Sequence, residues 1–126
     1  MSIEYTVSQD GLRIETYPKG VLDMKETTDY FDKLKNDKRI KSGAIEIVFF
    51  RHVSEFKISH VQSDLITRSY QASKEVQMIK ATIFVCESDL AYGIGRMLQA
   101  FHEMTNPKHK VMVVRSESEL EIKISD

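Results

Sequence analysis

Ala44-Ile45-Glu46-Ile47-Val48-Phe49-Phe50 is an almost unbroken apolar run, too short for an ordinary helix and rich in β-branched and aromatic residues. A run of this kind is expected of a strand covered on both faces, which places it near the centre of a sheet. Met78 to Cys86 has the same character, with Ile79, Ala81, Ile83 and Val85 predicted on one face and Phe84 and Cys86 on the other. Between the two runs Ile58, Val61, Leu65, Ala72 and Val76 recur at helical spacing, entered through Ser59, which can cap while Gln62 reaches back. Strand, helix and strand in this order call for a right-handed crossover and a parallel pair.

Toward the N-terminus, Ile3 to Val7 and Leu12 to Tyr17 flank Gln9-Asp10-Gly11 and read as a hairpin, because Asp-Gly favours the tight turn between antiparallel strands. Pro18-Lys19-Gly20 then breaks the pattern. Met24, Thr27, Thr28, Phe31 and Leu34 follow at helical spacing behind Asp23, with Glu26 completing a capping-box-like entry, so a first helix is predicted from Met24 to about Lys38. Toward the C-terminus, Ser88 opens a helix whose Leu90, Ile94, Met97, Leu98 and Phe101 form one stripe, ended by Asn106-Pro107. Val111 to Val114 makes a last strand, and Ser116-Glu117-Ser118-Glu119 starts a last helix that uses Leu120 and Ile124. The string is ββαβαβαβα over residues 1–126: one α/β domain with a largely parallel sheet and an antiparallel pair at its N-terminal edge.

The chain has 126 residues, 18 Lys and Arg against 19 Asp and Glu, and 41% hydrophobic residues, enough to bury a core. A net charge of −1 provides no positive field to gather a phosphate backbone, so nucleic acid is not an expected partner. The single Cys86 excludes an internal disulfide framework and a cysteine-rich zinc site, which fits a reducing compartment. No apolar stretch approaches the ~20 residues of a membrane helix, and Met1-Ser2-Ile3-Glu4-Tyr5 carries no basic segment followed by an apolar run. A cytoplasmic location is the default expectation.

In open α/β sheets, ligands bind beyond the carboxyl ends of the parallel strands, where helix N-termini also point. Loops predicted at that end, 17–20, 51–57, 87–89 and 115–116, gather Lys19, Arg51, His52, Ser88 and Arg115, which could hold a small anion. Ser59, Ser88 and Ser116 are equally explained as caps worth about 1 kcal/mol each. Cys86 sits where a nucleophile can precede a helix N-terminus, but a phosphate-cradling loop needs a closing arginine, and Glu87-Ser88-Asp89-Leu90-Ala91-Tyr92 supplies two carboxylates instead. A buried structural thiol is therefore expected. His52, His60, His102 and His109 show no metal-ligand spacing. No metal or cofactor is expected.

Glu46 conflicts with its neighbours, and must be paired, sit at an exposed face, or carry a raised pKa; an ion pair or an edge position is the ordinary resolution. In Ser88 to Met97, Gly93 and Gly95 cost roughly 1 kcal/mol each relative to Ala, a cost that close packing of Gly93 on the sheet would offset. At 100° per residue Tyr92, Arg96, Gln99 and Glu103 are expected together on the face opposite the core stripe. Tyr92 and Arg96 could anchor a partner protein or a second copy of the chain, since both residue types are enriched in binding hot spots.

The element order, the Gly20-Val21-Leu22-Asp23 entry to the first helix, the passage from Ala81 to Phe101 with its Tyr92-Gly93 and Arg96-Met97, and the closing Val113-Val114-Arg115-Ser116 resemble the stand-alone STAS-type domains called SpoIIAA-like. The resemblance implies a small mixed sheet flanked by about four helices. It also implies a group that includes anti-sigma-factor antagonists, transporter cytoplasmic domains and many uncharacterised single-domain proteins. In the antagonists an Asp-Ser pair opens a helix and phosphorylation of that Ser switches partner binding. Here Lys57-Ile58-Ser59 departs from that pattern, so the phosphoswitch is not carried over and Ser59 is a cap. The expectation is a non-enzymatic regulatory or binding domain for a partner protein or a small anionic or apolar ligand, with a small enzyme using His52 or Cys86 as the alternative. Arg51, His52, Ser88 and Arg115 are its candidate ligand-binding residues, and Tyr92 and Arg96 its candidate interaction surface.

Overall fold

The computed structural model describes residues 3–59, 62, 65, 79–105 and 109–125. Among the described residues the strands are β1 Glu4–Val7, β2 Arg13–Tyr17, β3 Lys19–Asp23, β4 Ala44–Phe49, β5 His52–Lys57, β6 Ile79–Val85 and β7 Lys110–Val114. The helices with described bounds are α1 Met24–Lys35, α2 Asp89–Thr105 and α3 Glu117–Ser125. Five strands form one sheet in the order β1-β2-β4-β6-β7, antiparallel only between β1 and β2. The helix expected between Ile58 and Val76 falls mostly outside the described residues, of which Gln62 and Leu65 are helical.

Local chemistry sets most of these boundaries. The hairpin turn closes through Ser8 and Gly11, whose N–H donates to the Ser8 carbonyl at 2.9 Å, while Asp10 accepts from the Leu12 N–H at 3.0 Å. A side chain on Gly11 would lie 2.4 Å from the Arg39 carbonyl, so the close approach of the loop before β4 requires glycine there. Asp23 accepts from the Glu26 N–H at 2.9 Å, Ser88 from Ala91 at 3.1 Å and Ser116 from Glu119 at 3.1 Å, capping the three helices. Ser59 and Gln62 form the reciprocal pair expected of a capping box, at 3.1 and 3.0 Å. Helix α1 stops at Lys35, earlier than its apolar spacing suggested, where the Asn36 N–H closes on the Asp32 carbonyl.

The sheet is covered on both faces. Val48, Phe50, Phe84 and Cys86 point toward α1 and α2 and pack with Tyr30, Leu34 and Ala91. Ile47, Phe49, Ile83 and Val85 point the other way onto Leu120 of α3. Ile79 joins Phe84 and Cys86 instead of Ile83, because Ala44 pairs with Ile79 and Ile45 with Ala81, and the skipped Lys80 bulges and turns the alternation over.

Two strands fall in segments expected to be loops. β3 and β5 form a separate parallel pair, with a register shift between Gly20 and Val21, so Lys19 and His52 are strand residues that pair with one another. Pro18 and Gly20 obscure β3, and β5 has a broken alternation in which only Val53 and Phe56 are partly covered. A two-stranded sheet is marginal alone. This one is held because Leu22, Val53, Phe56 and Ile58 pack onto the core beneath α1 and α2.

Helix α2 is turned relative to its expected stripe. Ala91, Gly95 and His102 are buried and Leu98 packs with them, whereas Leu90 is 60% exposed and Ile94, Met97 and Phe101 are half-buried. Gly95, not Gly93, makes the close approach: a Cβ there would meet Cys86 Sγ at 2.8 Å and Val113 Cγ1 at 3.2 Å, while one on Gly93 would meet open space. The Gln99 side-chain amide donates to the Val111 carbonyl at 2.9 Å, fixing this rotation against β7.

Candidate functional site

The strand ends bring Arg51 and Arg115 together, each against carboxylates, while Lys19 pairs with His52 on the separate β3–β5 sheet. Arg51 follows β4, donates to Glu117 at the start of α3, and lies 3.6 Å from Glu87. Arg115 follows β7 and donates to Asp89 at 2.7 Å and to the Glu87 carbonyl at 3.4 Å. Both arginines therefore converge on Glu87. Ser88 beside it spends its oxygen on the cap of α2. His52 lies on β5 and shares a surface depression with Tyr17, Phe49, Arg51 and Glu117 on the α3 side of the sheet. An anion entering there competes with three acidic side chains already engaged with the guanidiniums.

Cys86 is fully buried, and burial pushes its thiol up to about 12, opposed in part by the charge of Arg115. A thiol so protonated is a packing group at neutral pH. Tyr92 and Arg96 do not meet each other as their main contacts. Tyr92 carries the Arg115 guanidinium 4.6 Å over its ring, and Arg96 donates to Gln99 at 3.0 Å. Among the described residues no group of three or more His, Cys, Asp or Glu is placed to hold a metal ion, and no helix is long and apolar enough to cross a membrane.

A different constellation occupies the space between the sheet and the helices α1 and α2. A cavity of about 90 Å³ is walled by Ile3, Leu22, Val48, Phe50, Phe84 and Leu98, with Thr16, Tyr30, Glu46, Thr82 and His102 contributing its polar atoms. Three adjacent strands supply the polar floor: Thr16 from β2, Glu46 from β4 and Thr82 from β6, the last two directly paired across the ladder. Tyr30 reaches them from α1. Its hydroxyl donates to Glu46 Oε2 and sits 2.7 Å from Thr16 Oγ1, while Thr82 donates to Glu46 Oε1 at 2.8 Å and lies 2.9 Å from His109 Nε2. His109 in turn stacks on His102 with ring centroids 5.3 Å apart.

Glu46 thus lies on neither an edge strand nor an exposed face: it is 3% exposed on the strand between β2 and β6, with hydroxyl donors at both oxygens. A buried carboxylate needs such donors to offset its desolvation. The two histidines are shifted toward the neutral form. Burial, and then the charge of His109, brings His102 down to about 4, and burial lowers His109 as well.

The sequence showed one member of this set, Glu46, as out of place. Thr16 and Thr82 on the same face of neighbouring strands were the available second signal, but they acquire meaning only once the strand order puts them beside Glu46. Tyr30 and His102 arrive from helices whose rotation the sequence does not fix, and His109 from the residue just before β7.

No family model matches the chain, and no curated protein matches it. Solved structures do. The anti-sigma factor antagonist SpoIIAA in its unphosphorylated form superposes with a TM-score of 0.54 at 12% identity, over 98% of this chain and 98% of that one. An uncharacterized protein of the DUF3478 family with a SpoIIAA-like fold, from Shewanella loihica, superposes with a TM-score of 0.57 at 12% identity, over 94% of this chain and 88% of that one. The chain has the SpoIIAA-like, STAS-type fold that its motifs resemble.

Proposed function

We propose that this SpoIIAA-like chain is a non-enzymatic binding domain that accepts a small apolar ligand in the cavity between its main sheet and helices α1 and α2. The observation that carries the reading is the cavity itself, about 90 Å³ of space beside a buried, fully connected polar cluster. Close-packed interiors seldom leave voids larger than a water, and a mostly apolar pocket with a few convergent polar groups is the usual form of a small-molecule site. The neutral buried Cys86 supplies no thiolate, and the strand-end arginines are engaged with Glu87, Asp89 and Glu117, which supports binding over catalysis and an apolar over an anionic ligand.

Native mass spectrometry of protein purified gently from cell extract tests the proposal. A retained small molecule, lost when Leu98→Phe fills the cavity, is the expected result; a bare wild-type protein, or an added mass indifferent to Leu98→Phe, overturns it. A second reading is recognition of a partner protein through the exposed side of α2. It is favoured by Leu90 at 60% and Met104 at 80% exposure on the helix that carries Tyr92 and Arg96, and by the action of the structural neighbour SpoIIAA as an anti-sigma factor antagonist. Replacing Leu90, Arg96 and Met104 together would then abolish capture of that partner, and unchanged capture would exclude this face.

A further inference from the structure

We infer that the β3–β5 pair is the door of the cavity, a proposal that rests on the cavity being a ligand site, and that Phe56 is the latch of that door. The described walls stand on elements of unequal strength. Glu46, Val48, Thr82 and Phe84 project from strands joined in the five-stranded ladder, and Tyr30 and Leu98 from helices packed on it. Leu22 projects from β3, and two more wall residues flank the pair directly, Pro18 just before β3 and Ile58 just after β5. A molecule entering past these three displaces the pair and leaves the main sheet whole.

Among the described residues the ladder of β3 runs to β5 in a sheet apart from the main one, so opening it leaves the five-stranded ladder intact. The pairing is itself interrupted by the register shift after Gly20, whose φ of 72° is a left-handed conformation that glycine adopts without strain. Only one side of the pair is covered: Leu22 is buried and Val53 and Phe56 half-buried, while His52, Ser54, Glu55 and Lys57 are exposed. Segments with so few buried apolar contacts open at a lower free energy than the core strands. Phe56 sets its ring edge-on to Phe50, with centroids 5.4 Å apart, and Phe50 stands in the cavity wall stacked on Phe84. Phe56 does not itself line the cavity, so it holds the pair shut without touching an occupant.

The test follows amide hydrogen exchange and the exchange of xenon, as the probe, by NMR on the full chain at neutral pH. The amides of β3 and β5 are expected to exchange about tenfold or more faster than those of β4 and β6, and equal protection overturns the inference. Phe56→Ala is expected to speed amide exchange in the pair, xenon uptake and xenon release together, each by about tenfold, the size of one lost edge-to-face contact, with xenon affinity unchanged. Faster amide exchange with unchanged xenon rates overturns the door and leaves the cavity site standing; no xenon bound overturns both. Ile124→Ala loosens the packing on the opposite face of the sheet and is expected to leave the xenon rates as they were. A rise equal to that of Phe56→Ala would show entry by global unfolding and overturn the inference. Should Phe56→Ala not fold, Val53→Ala loosens the same pair outside the cavity, with amide and xenon rates rising together as the expected result and unmoved xenon rates as the contrary one.

Discussion

Gly93 and Gly95 sit one turn into the same helix, and substituting each by Ala is expected to move stability in opposite directions. Either substitution gains helix propensity, about 1 kcal/mol relative to Gly. At Gly93 the new methyl enters open space, so Gly93→Ala is expected to keep that gain. At Gly95 the methyl would stand 2.8 Å from Cys86 Sγ and 3.2 Å from Val113 Cγ1. Cys86, buried just past the end of β6, and Val113, half-buried in β7, have little room to swing, and overpacking of this kind costs about 1–3 kcal/mol, more than the propensity returns. Gly95→Ala should therefore be net destabilising by about 1 kcal/mol, or about 4 °C in Tm for a chain of this size. Urea unfolding of both variants, followed by circular dichroism, measures the difference. Adding Cys86→Ala to Gly95→Ala removes the nearer obstacle, so the double variant should be more stable than the sum of the single effects by about 1 kcal/mol. A Gly95→Ala protein as stable as Gly93→Ala would refute the close approach of α2 to β6 and β7.

Removing the carboxylate with Glu46→Ala deprives Tyr30 and Thr82 of their shared acceptor and should cost about 3 kcal/mol by urea unfolding; a cost under about 1 kcal/mol would show the cluster to be solvated. His102 titrates near 4 in the fold against 6.5 unfolded, so the unfolded chain binds the extra proton first. Its contribution is full above pH 6.5 and is lost as pH falls toward 4, amounting to about 3 kcal/mol by the bottom of that window. Stability measured from pH 7 to 4 should fall less steeply in His102→Leu than in the parent, and parallel slopes would place the imidazole in water. Cys86, with its thiol near 12, should resist iodoacetamide at pH 8 in the native protein and react on unfolding, as intact-mass measurement would show; rapid native alkylation would return the thiol to the list of possible nucleophiles.

The central strands, the hairpin and the helix entries were legible because their signals are local. Apolar density in 44–50, Asp10-Gly11, and the caps at Asp23, Ser59, Ser88 and Ser116 each act within a few residues, and each is where the chain put it. β3 and β5 were not, since a short parallel pair carries no periodicity of its own and is stabilised by side chains distant in sequence. The face of α2 was misassigned for a related reason. Counting apolar residues favours Leu90 and Ile94, but the contact that fixes the rotation is made by a residue without a side chain, Gly95. Of the strand-end residues, Arg51 and Arg115 meet around Glu87 while Lys19 and His52 lie on the separate β3–β5 pair, and Glu117 and Asp89, which hold the two arginines, are each distant in sequence from the arginine they meet.

An apolar ligand held between the sheet and helices α1 and α2 would occupy the space above Thr16, Glu46 and Thr82. A crystal structure of the protein under xenon pressure tests it most directly, because xenon enters dry apolar cavities without needing a polar partner. A xenon atom bounded by Val48, Phe84 and Leu98 is the predicted result. Ordered water filling that space, or side chains closed over it with no xenon bound, would contradict it.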